Sequence, residues 1–365
     1  MAEKSIRNVK IAAVAALALA FLSPVARAED GIGDVPARVA APAPARVPQA
    51  TYKITAGLDG DVFPAFANHA SMQKPSQREW GVITVQVSNS TDAPLRNRIA
   101  VRVAGWSDQE IQIAEMGAGQ VRTYKFAPTF LPRLYRNREI TGATAEIEIS
   151  DIAGRTIHTE TVPVRLRAAE DIYWGSKFKY APFIAAWVTP HEEQVEKVLA
   201  RAKNFAPKRR LPGYESWKSI AEQERSTDVQ ARAIYAALKQ HSVSYVKSSL
   251  TFGGNQEVTQ RVRMPRESLG QTSANCIDGA VMFASLFENL GMDPVIVLVP
   301  GHAVVGVRVA KGSQRYLYID TAIVGRATYE TAVNAAEEAL AKFTPNQITK
   351  ISISQARDAG IFPMP

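Results

Sequence analysis

The chain has 365 residues, 43 Lys and Arg against 35 Asp and Glu, and a formal net charge of +8. This length is enough for two ordinary domains. It contains one cysteine, so an internal disulfide is excluded, and its five histidines are scattered, so no metal site is expected. The basic residues are dispersed and not interleaved with aromatic residues, which argues against nucleic-acid binding. No cofactor is predicted.

Residues 1–28 have the pattern of a signal peptide. Three basic residues within the first ten precede an apolar run at 11–22, and Ala26-Arg27-Ala28 resembles a cleavage site. The apolar run is shorter than the roughly 20 residues that an ordinary spanning helix needs. We therefore expect an exported protein, periplasmic or extracellular, with no integral membrane segment after cleavage.

The next two regions differ in composition. Residues 29–50 are rich in alanine and proline and are predicted to be a disordered linker. Residues 51–168 contain short alternating runs that are separated by turn residues, which is typical of an immunoglobulin-like β-sandwich. The predicted strands are 82–87, 98–103, 110–113, 121–126, 143–149 and 156–166. This region carries no catalytic constellation, and a fold of this kind does not by itself indicate a role.

The connector at 169–189 is rich in aromatic residues, which indicates that it packs. A domain interface is favoured over a substrate cleft. Residues 190–365 then alternate helices with strands, as in an α+β domain. Helices are predicted from a Thr189-Pro190 cap to Leu199, at 228–240 and at 331–343, and the remainder is a short tail.

The single cysteine, Cys276, begins an apolar run that stops at Gly291. Asn275 is suited to cap this helix, with Asp278 three residues on as in a capping box. Cys276 would then be the first helical residue, where free N–H groups and the helix dipole favour a thiolate. The same amides could hold an oxyanion, and Gln271 is a candidate side-chain donor, although an ordinary surface glutamine is an equal alternative.

A histidine and an aspartate follow in a pattern that suggests a hairpin. His302 comes after a buried strand at 294–299, and Asp320 ends the returning strand. If the turn centres at residue 311, the two side chains lie directly opposite, with Cβ atoms about 5 Å apart. Asp320 could then orient the imidazole towards Cys276, giving nucleophile, base and orienter. The alternatives are a buried structural cysteine, a structural histidine and a turn-forming aspartate.

These residues resemble the core of bacterial transglutaminase-like cysteine proteins, within the papain-like class. The similarity covers about 185–330 and includes Asn-Cys-Ile-Asp at 275–278, Val-Pro-Gly-His-Ala-Val-Val-Gly at 299–306 and Tyr-Ile-Asp at 318–320. The resemblance implies a transglutaminase-like α+β domain over 190–365, with Cys276, His302 and Asp320 as the catalytic residues.

The function that follows is acyl transfer on peptide or amide bonds. With water as the acceptor the protein would be a cysteine peptidase or amidase, and with an amine it would be a transglutaminase. The expected partner is a protein or peptide substrate, with cell-wall peptides among the candidates. The alternative is a non-catalytic envelope scaffold or binding protein that keeps a transglutaminase-like domain. The sequence indicates neither the acceptor nor the oligomeric state.

Overall fold

The structure is a computed structural model that describes residues 50–214, 219–247, 250–251 and 259–365. The predicted signal peptide and the linker up to residue 49 lie outside the described residues. Ala50, which the composition places in the linker, is buried in the hydrophobic core. Within the described ranges, no helix is both long and apolar enough to cross a membrane.

The first part of the described chain is mostly β-structure. Its elements are β1 (Thr51–Ala56), β2 (Asp61–Val62), α1 (Pro64–Met72), β3 (Ile83–Ser88), β4 (Leu95–Val103), β5 (Glu110–Met116), β6 (Val121–Phe126), β7 (Thr141–Asp151) and β8 (Thr156–Leu166). One sheet has the order β1-β3-β6, and the other has the order β2-β8-β7-β4-β5. The six strands expected from alternation are confirmed within a few residues, whereas β1, β2 and α1 were not predicted.

These two sheets share one hydrophobic core. Burial alternates along β3 and β4, as expected for strands with one face turned inward. Val85 of β3 and Ile99 of β4 are both fully buried in the same core. In addition, the Asn97 side-chain amide of β4 donates to the Tyr52 hydroxyl of β1 at 2.6 Å, which joins the sheets directly.

The second part mixes helices and strands. Its elements are β9 (Asp171–Tyr173), α2 (Glu193–Ala202), α3 (Ile220–Gln240), β10 (Ser244–Tyr245), β11 (Leu250–Thr251), β12 (Thr259–Arg261), α4 (Pro265–Gly270), β13 (Ser273–Ala274), α5 (Cys276–Asn289), β14 (Pro294–Val299), β15 (His302–Arg308), β16 (Tyr316–Ile319), α6 (Tyr329–Ala341), β17 (Thr349–Ser352) and α7 (Ile353–Asp358). The described chain is therefore a mixed α and β structure with several sheets.

The sheet that carries the candidate site has the order β16-β15-β14-β17, and all its pairs are antiparallel. Helix α5 is buried from Ile277 to Phe287, and its side chains share a core with β14 and β15. A helix that is apolar around most of its circumference is expected at such a central position. The sheet and α5 together form the frame on which the candidate site is built.

Several predicted boundaries in this part were wrong. Helix α2 begins at Glu193, because Thr189 and Pro190 form part of a turn. Helix α3 is longer than predicted, because it begins at Ile220, eight residues before the predicted start at 228, and is capped by Ser219. The predicted tail contains β17, which pairs with β14 at the edge of the sheet, and helix α7.

The connector contacts both parts of the described chain. Phe183 stacks on Phe66 of α1 with ring centroids 3.9 Å apart, and Tyr173 stacks on Phe63 at 5.3 Å. On its other side, β9 pairs with β12, so that Asp171 lies opposite Arg261. These contacts agree with the interface hypothesis for the aromatic residues.

Candidate active site

Cys276 lies at the start of α5, as predicted from its capping box. The Asn275 side-chain oxygen accepts from the Asp278 N–H at 2.9 Å, and the Asp278 carboxylate accepts from the Asn275 N–H at 3.1 Å. Cys276 is partly exposed. Its sulfur therefore belongs to the first residue of a helix, where backbone N–H groups without helical partners and the helix dipole favour negative charge.

Asp278 links this turn to Arg263. Its side chain is fully buried, accepts from the Arg263 N–H at 2.9 Å and lies 3.6 Å from the Arg263 guanidinium. Burial raises the pKa of Asp278, and the backbone hydrogen bonds from Arg263 and Asn275 oppose this effect. The segment before α4 is thereby tied to the helix turn that carries Cys276.

His302 and Asp320 form a direct pair. His302 is the first residue of β15, and its Nε2 donates to the Asp320 Oδ2 at 3.1 Å, because an ionised carboxylate can only accept. The other oxygen of Asp320 accepts from the Ala322 N–H at 2.9 Å, while the Asp320 N–H donates to the Ala332 carbonyl at 2.9 Å. The carboxylate is therefore held from both sides and oriented towards the imidazole.

The hairpin register, however, differs from the predicted one by two residues. Val305 pairs with Ile319, so the turn centres on Gly312 and not on residue 311. Gly312 has a φ of +77°, a conformation that glycine adopts without strain. His302 and Asp320 are consequently diagonal neighbours on the same face of the hairpin. Long side chains can still reach each other across a diagonal. The predicted pair therefore forms although the predicted register was wrong.

Contacts within the site shift the pKa values of His302 and Asp320. The hydrogen bond to Asp320 and then hydrogen bonding with Cys276 raise the pKa of His302 to about 10, although burial acts in the opposite direction. Burial raises the pKa of Asp320, but the hydrogen bond and charge of His302, aided by Ala322 and Arg326, outweigh it and lower the pKa. Near neutral pH the imidazole is therefore protonated and the carboxylate ionised. An imidazole with a strongly raised pKa beside a carboxylate marks a candidate functional site.

Gln271, the candidate oxyanion donor, has a different position from these three. It is the exposed residue that ends α4. Across the part of the chain that the structure describes, no hydrogen bond joins its side chain to Cys276 or His302. Its oxyanion role stays a prediction.

Tyr245 lies near the site without having been predicted there. Burial and then the charge of Cys276 raise the pKa of its phenol. Its strand β10 pairs in parallel with β13, which places Tyr245 opposite Ala274, two residues before Cys276. The side chain is half exposed. A two-residue strand in a polar stretch has no periodicity, so sequence offered no signal for this tyrosine.

Metal ligands do not cluster in the described ranges, where no group of three or more His, Cys, Asp or Glu side chains could hold an ion.

Comparison with known proteins adds little to this geometry. No family model matches the chain, and no curated protein sequence matches it. A solved structure similar to part of the chain is that of a FixG-related protein from Vibrio parahaemolyticus, with 14% sequence identity, a TM-score of 0.20, and coverage of 33% of this chain and 98% of that chain. A similarity at this TM-score supports no conclusion about fold or function.

Proposed function

We propose that the protein is an exported, cysteine-dependent acyl-transfer enzyme of the transglutaminase-like class, in which an immunoglobulin-like β-sandwich precedes an α+β catalytic domain. The observation that supports this most is the coupling of Cys276, at the first position of α5, to a His302–Asp320 pair with a 3.1 Å hydrogen bond. Nucleophile, base and orienter in this relation are the requirements of covalent catalysis by a thiol.

The first half-reaction would form a thioester. The Cys276 thiolate attacks the carbonyl carbon of an amide, a C–S bond forms, and the carbonyl electrons move to oxygen. Asp278 and Gly279 already donate their N–H groups to Asn275, so the amides of Cys276 and Ile277 are the candidates that stabilise the oxyanion. The oxyanion then collapses, the C–N bond breaks, and the amine leaves.

His302 would supply the proton for that leaving amine. Because its Nε2 donates to Asp320, the Nδ1 is the nitrogen available to face the sulfur and the leaving group. In the second half-reaction the neutral imidazole accepts a proton from water or from an acceptor amine, which attacks the thioester and releases the thiolate. The ionised Asp320 stabilises the imidazolium in both halves. Water as the acceptor gives a peptidase or amidase, and an amine gives a transglutaminase.

The substrate proposed on this basis is a protein or peptide amide in the cell envelope or outside the cell, with cell-wall peptides among the candidates. The proposal of export rests on the signal-peptide pattern of residues 1–28.

Alkylation of Cys276 by iodoacetamide as a function of pH tests the proposal without a known substrate. A thiolate paired with His302 should react rapidly well below pH 8, where an ordinary thiol is mostly protonated, and His302→Ala should remove that low-pH reactivity. His241→Ala is the matched control, since its imidazole Nε2 bonds the Leu269 carbonyl instead. A thiol that stays inert at low pH in the wild type would contradict the enzyme and favour the non-catalytic scaffold.

A further inference from the structure

The loop that follows Asp320 touches the first turn of the cysteine helix. The hydroxyl of Thr321 donates to the carbonyl of Cys276 at 3.2 Å, and Thr321 is itself buried. The carbonyl of a first helical residue already accepts the N–H four residues further on, so this second bond is not needed to satisfy the backbone. Its evident effect is to fix the position of the loop against the helix.

A glycine on the adjacent turn makes this contact sterically possible. Gly279 is buried within α5, and a Cβ there would lie 2.4 Å from the Thr321 hydroxyl oxygen and 2.8 Å from its Cβ. The φ angle of Gly279 is not positive, so its backbone conformation does not require glycine. Glycine is disfavoured within helices, and its presence here is explained by the close approach of Thr321.

We propose that Thr321 and Gly279 are positioning residues that set the distance between Cys276 and the His302–Asp320 pair. Thr321 is bonded in the chain to Asp320, whose carboxylate holds His302 at 3.1 Å, while its hydroxyl holds the residue that carries the sulfur. Thr321 therefore connects the helix that carries Cys276 to Asp320, the residue that contacts His302. The inference rests on the proposed function, because the distance matters only if the three residues act together.

The structure indicates how large the effects should be. Ordinary contact with a Cβ begins at 3.4 Å, so Gly279→Ala requires Thr321 to retreat from 2.4 Å, a displacement of about 1 Å. A misplacement of that size can lower a rate about 10²-fold. Thr321→Val keeps the shape and loses one hydrogen bond, so we expect about a tenfold loss in kcat with little change in KM. Thr321→Ser retains the hydroxyl and should stay within about twofold of the wild type.

Two readouts are measured on each full-length mature variant. One is kcat and KM on an acyl substrate. The other is the pH at which iodoacetamide alkylation of Cys276 reaches half its maximal rate, which needs no substrate. Loss of positioning should lower kcat and move the alkylation midpoint to higher pH in Thr321→Val and Gly279→Ala. In Thr321→Ser, kcat and the midpoint should both stay near their wild-type values.

Matched controls remove equivalent groups elsewhere. The Thr227 hydroxyl is buried and donates to the Val309 carbonyl at 2.9 Å, so Thr227→Val loses a comparable bond away from the site. Gly142→Ala adds a methyl group where nothing lies within 4 Å. Both controls should keep the wild-type midpoint.

The outcomes separate this inference from the proposed function. A folded Thr321→Val with wild-type kcat and an unchanged midpoint would overturn the positioning role. If Gly279→Ala does not fold, the comparison of Thr321→Val with Thr321→Ser still tests the positioning role. If the wild type alkylates at low pH but turns over no acyl substrate while Thr321→Val shifts the midpoint, the positioning role stands and acyl transfer fails.

Discussion

Replacing Asp320 by asparagine isolates the charge of the residue that we propose orients His302. Asparagine has nearly the same shape and can still accept a hydrogen bond from His302, whose Nε2 now donates to the carboxylate at 3.1 Å. What disappears is the negative charge beside the imidazole. The variant therefore tests whether that charge, and not merely the contact, controls the base.

The magnitude follows from the state of His302. The hydrogen bond to Asp320 is the largest cause of the rise in its pKa from 6.5 to about 10, and the charge of Asp320 adds to it. An opposite charge in contact typically shifts a pKa by 1–3 units, so Asp320→Asn should lower the pKa of His302 by at least about one unit. By analogy with serine triads, turnover should fall by about 10³ to 10⁴-fold, whereas His302→Ala should abolish it.

Titration of the imidazole by NMR measures this shift, with His302→Gln used to assign its resonance. Asp228→Asn is the control. It also removes one carboxylate charge, and in the wild type that carboxylate accepts a hydrogen bond from the Tyr329 hydroxyl at 2.8 Å. The control should leave His302 unchanged. A pKa of His302 that is the same in Asp320→Asn and in the wild type would refute the orienting role of Asp320.

Three further outcomes are expected. The pKa of His302 is raised on folding, so its stabilisation should be complete below pH 6.5 and disappear as the pH rises through about 10; urea unfolding of wild type and His302→Ala across that interval checks the sign. Phe66→Ala should cost about 3 kcal/mol in unfolding free energy, since its ring stacks on Phe183 at 3.9 Å, while the exposed Phe178→Ala should cost far less; equal losses would contradict the interface. The mature protein should begin near Glu29 and be found outside the cytoplasm, and an intact Met1 on the soluble protein by mass spectrometry would exclude signal cleavage.

Local signals explain most of what sequence predicted correctly. The capping box of Asn275 and Asp278 involves two residues of one turn, so it could be recognised without tertiary information. The alternating strands of the first part were visible for the same reason, because one buried face leaves a period of two. A comparable capping box at Ser219 and Glu222 marks the start of α3, eight residues before the predicted start at 228.

Tertiary contacts explain what sequence did not predict. The offset of the His302–Asp320 register depends on a turn centred on Gly312, whose exact pairing no local pattern fixes. Strand β17 is short and polar in part, and it is recognised as a strand only through its antiparallel pairing with β14. Thr321, which bonds the Cys276 carbonyl, and Tyr245, which pairs with Ala274, are brought to this region only by the fold, from 45 and 31 residues away from Cys276 in the chain.

Capture of an acyl-enzyme on Cys276 tests the central proposal most directly. The mature protein is incubated with peptide amides, including cell-wall peptides, quenched in acid and examined by peptide mass spectrometry, with Cys276→Ala as the matched control. We expect an acyl mass on the peptide that contains Cys276 in the wild type and none in Cys276→Ala. In His302→Ala the acylated fraction should increase only if the substitution slows deacylation more than acylation. Turnover of the same substrates by a well-folded Cys276→Ala would contradict the assignment of the nucleophile and the mechanism built on it.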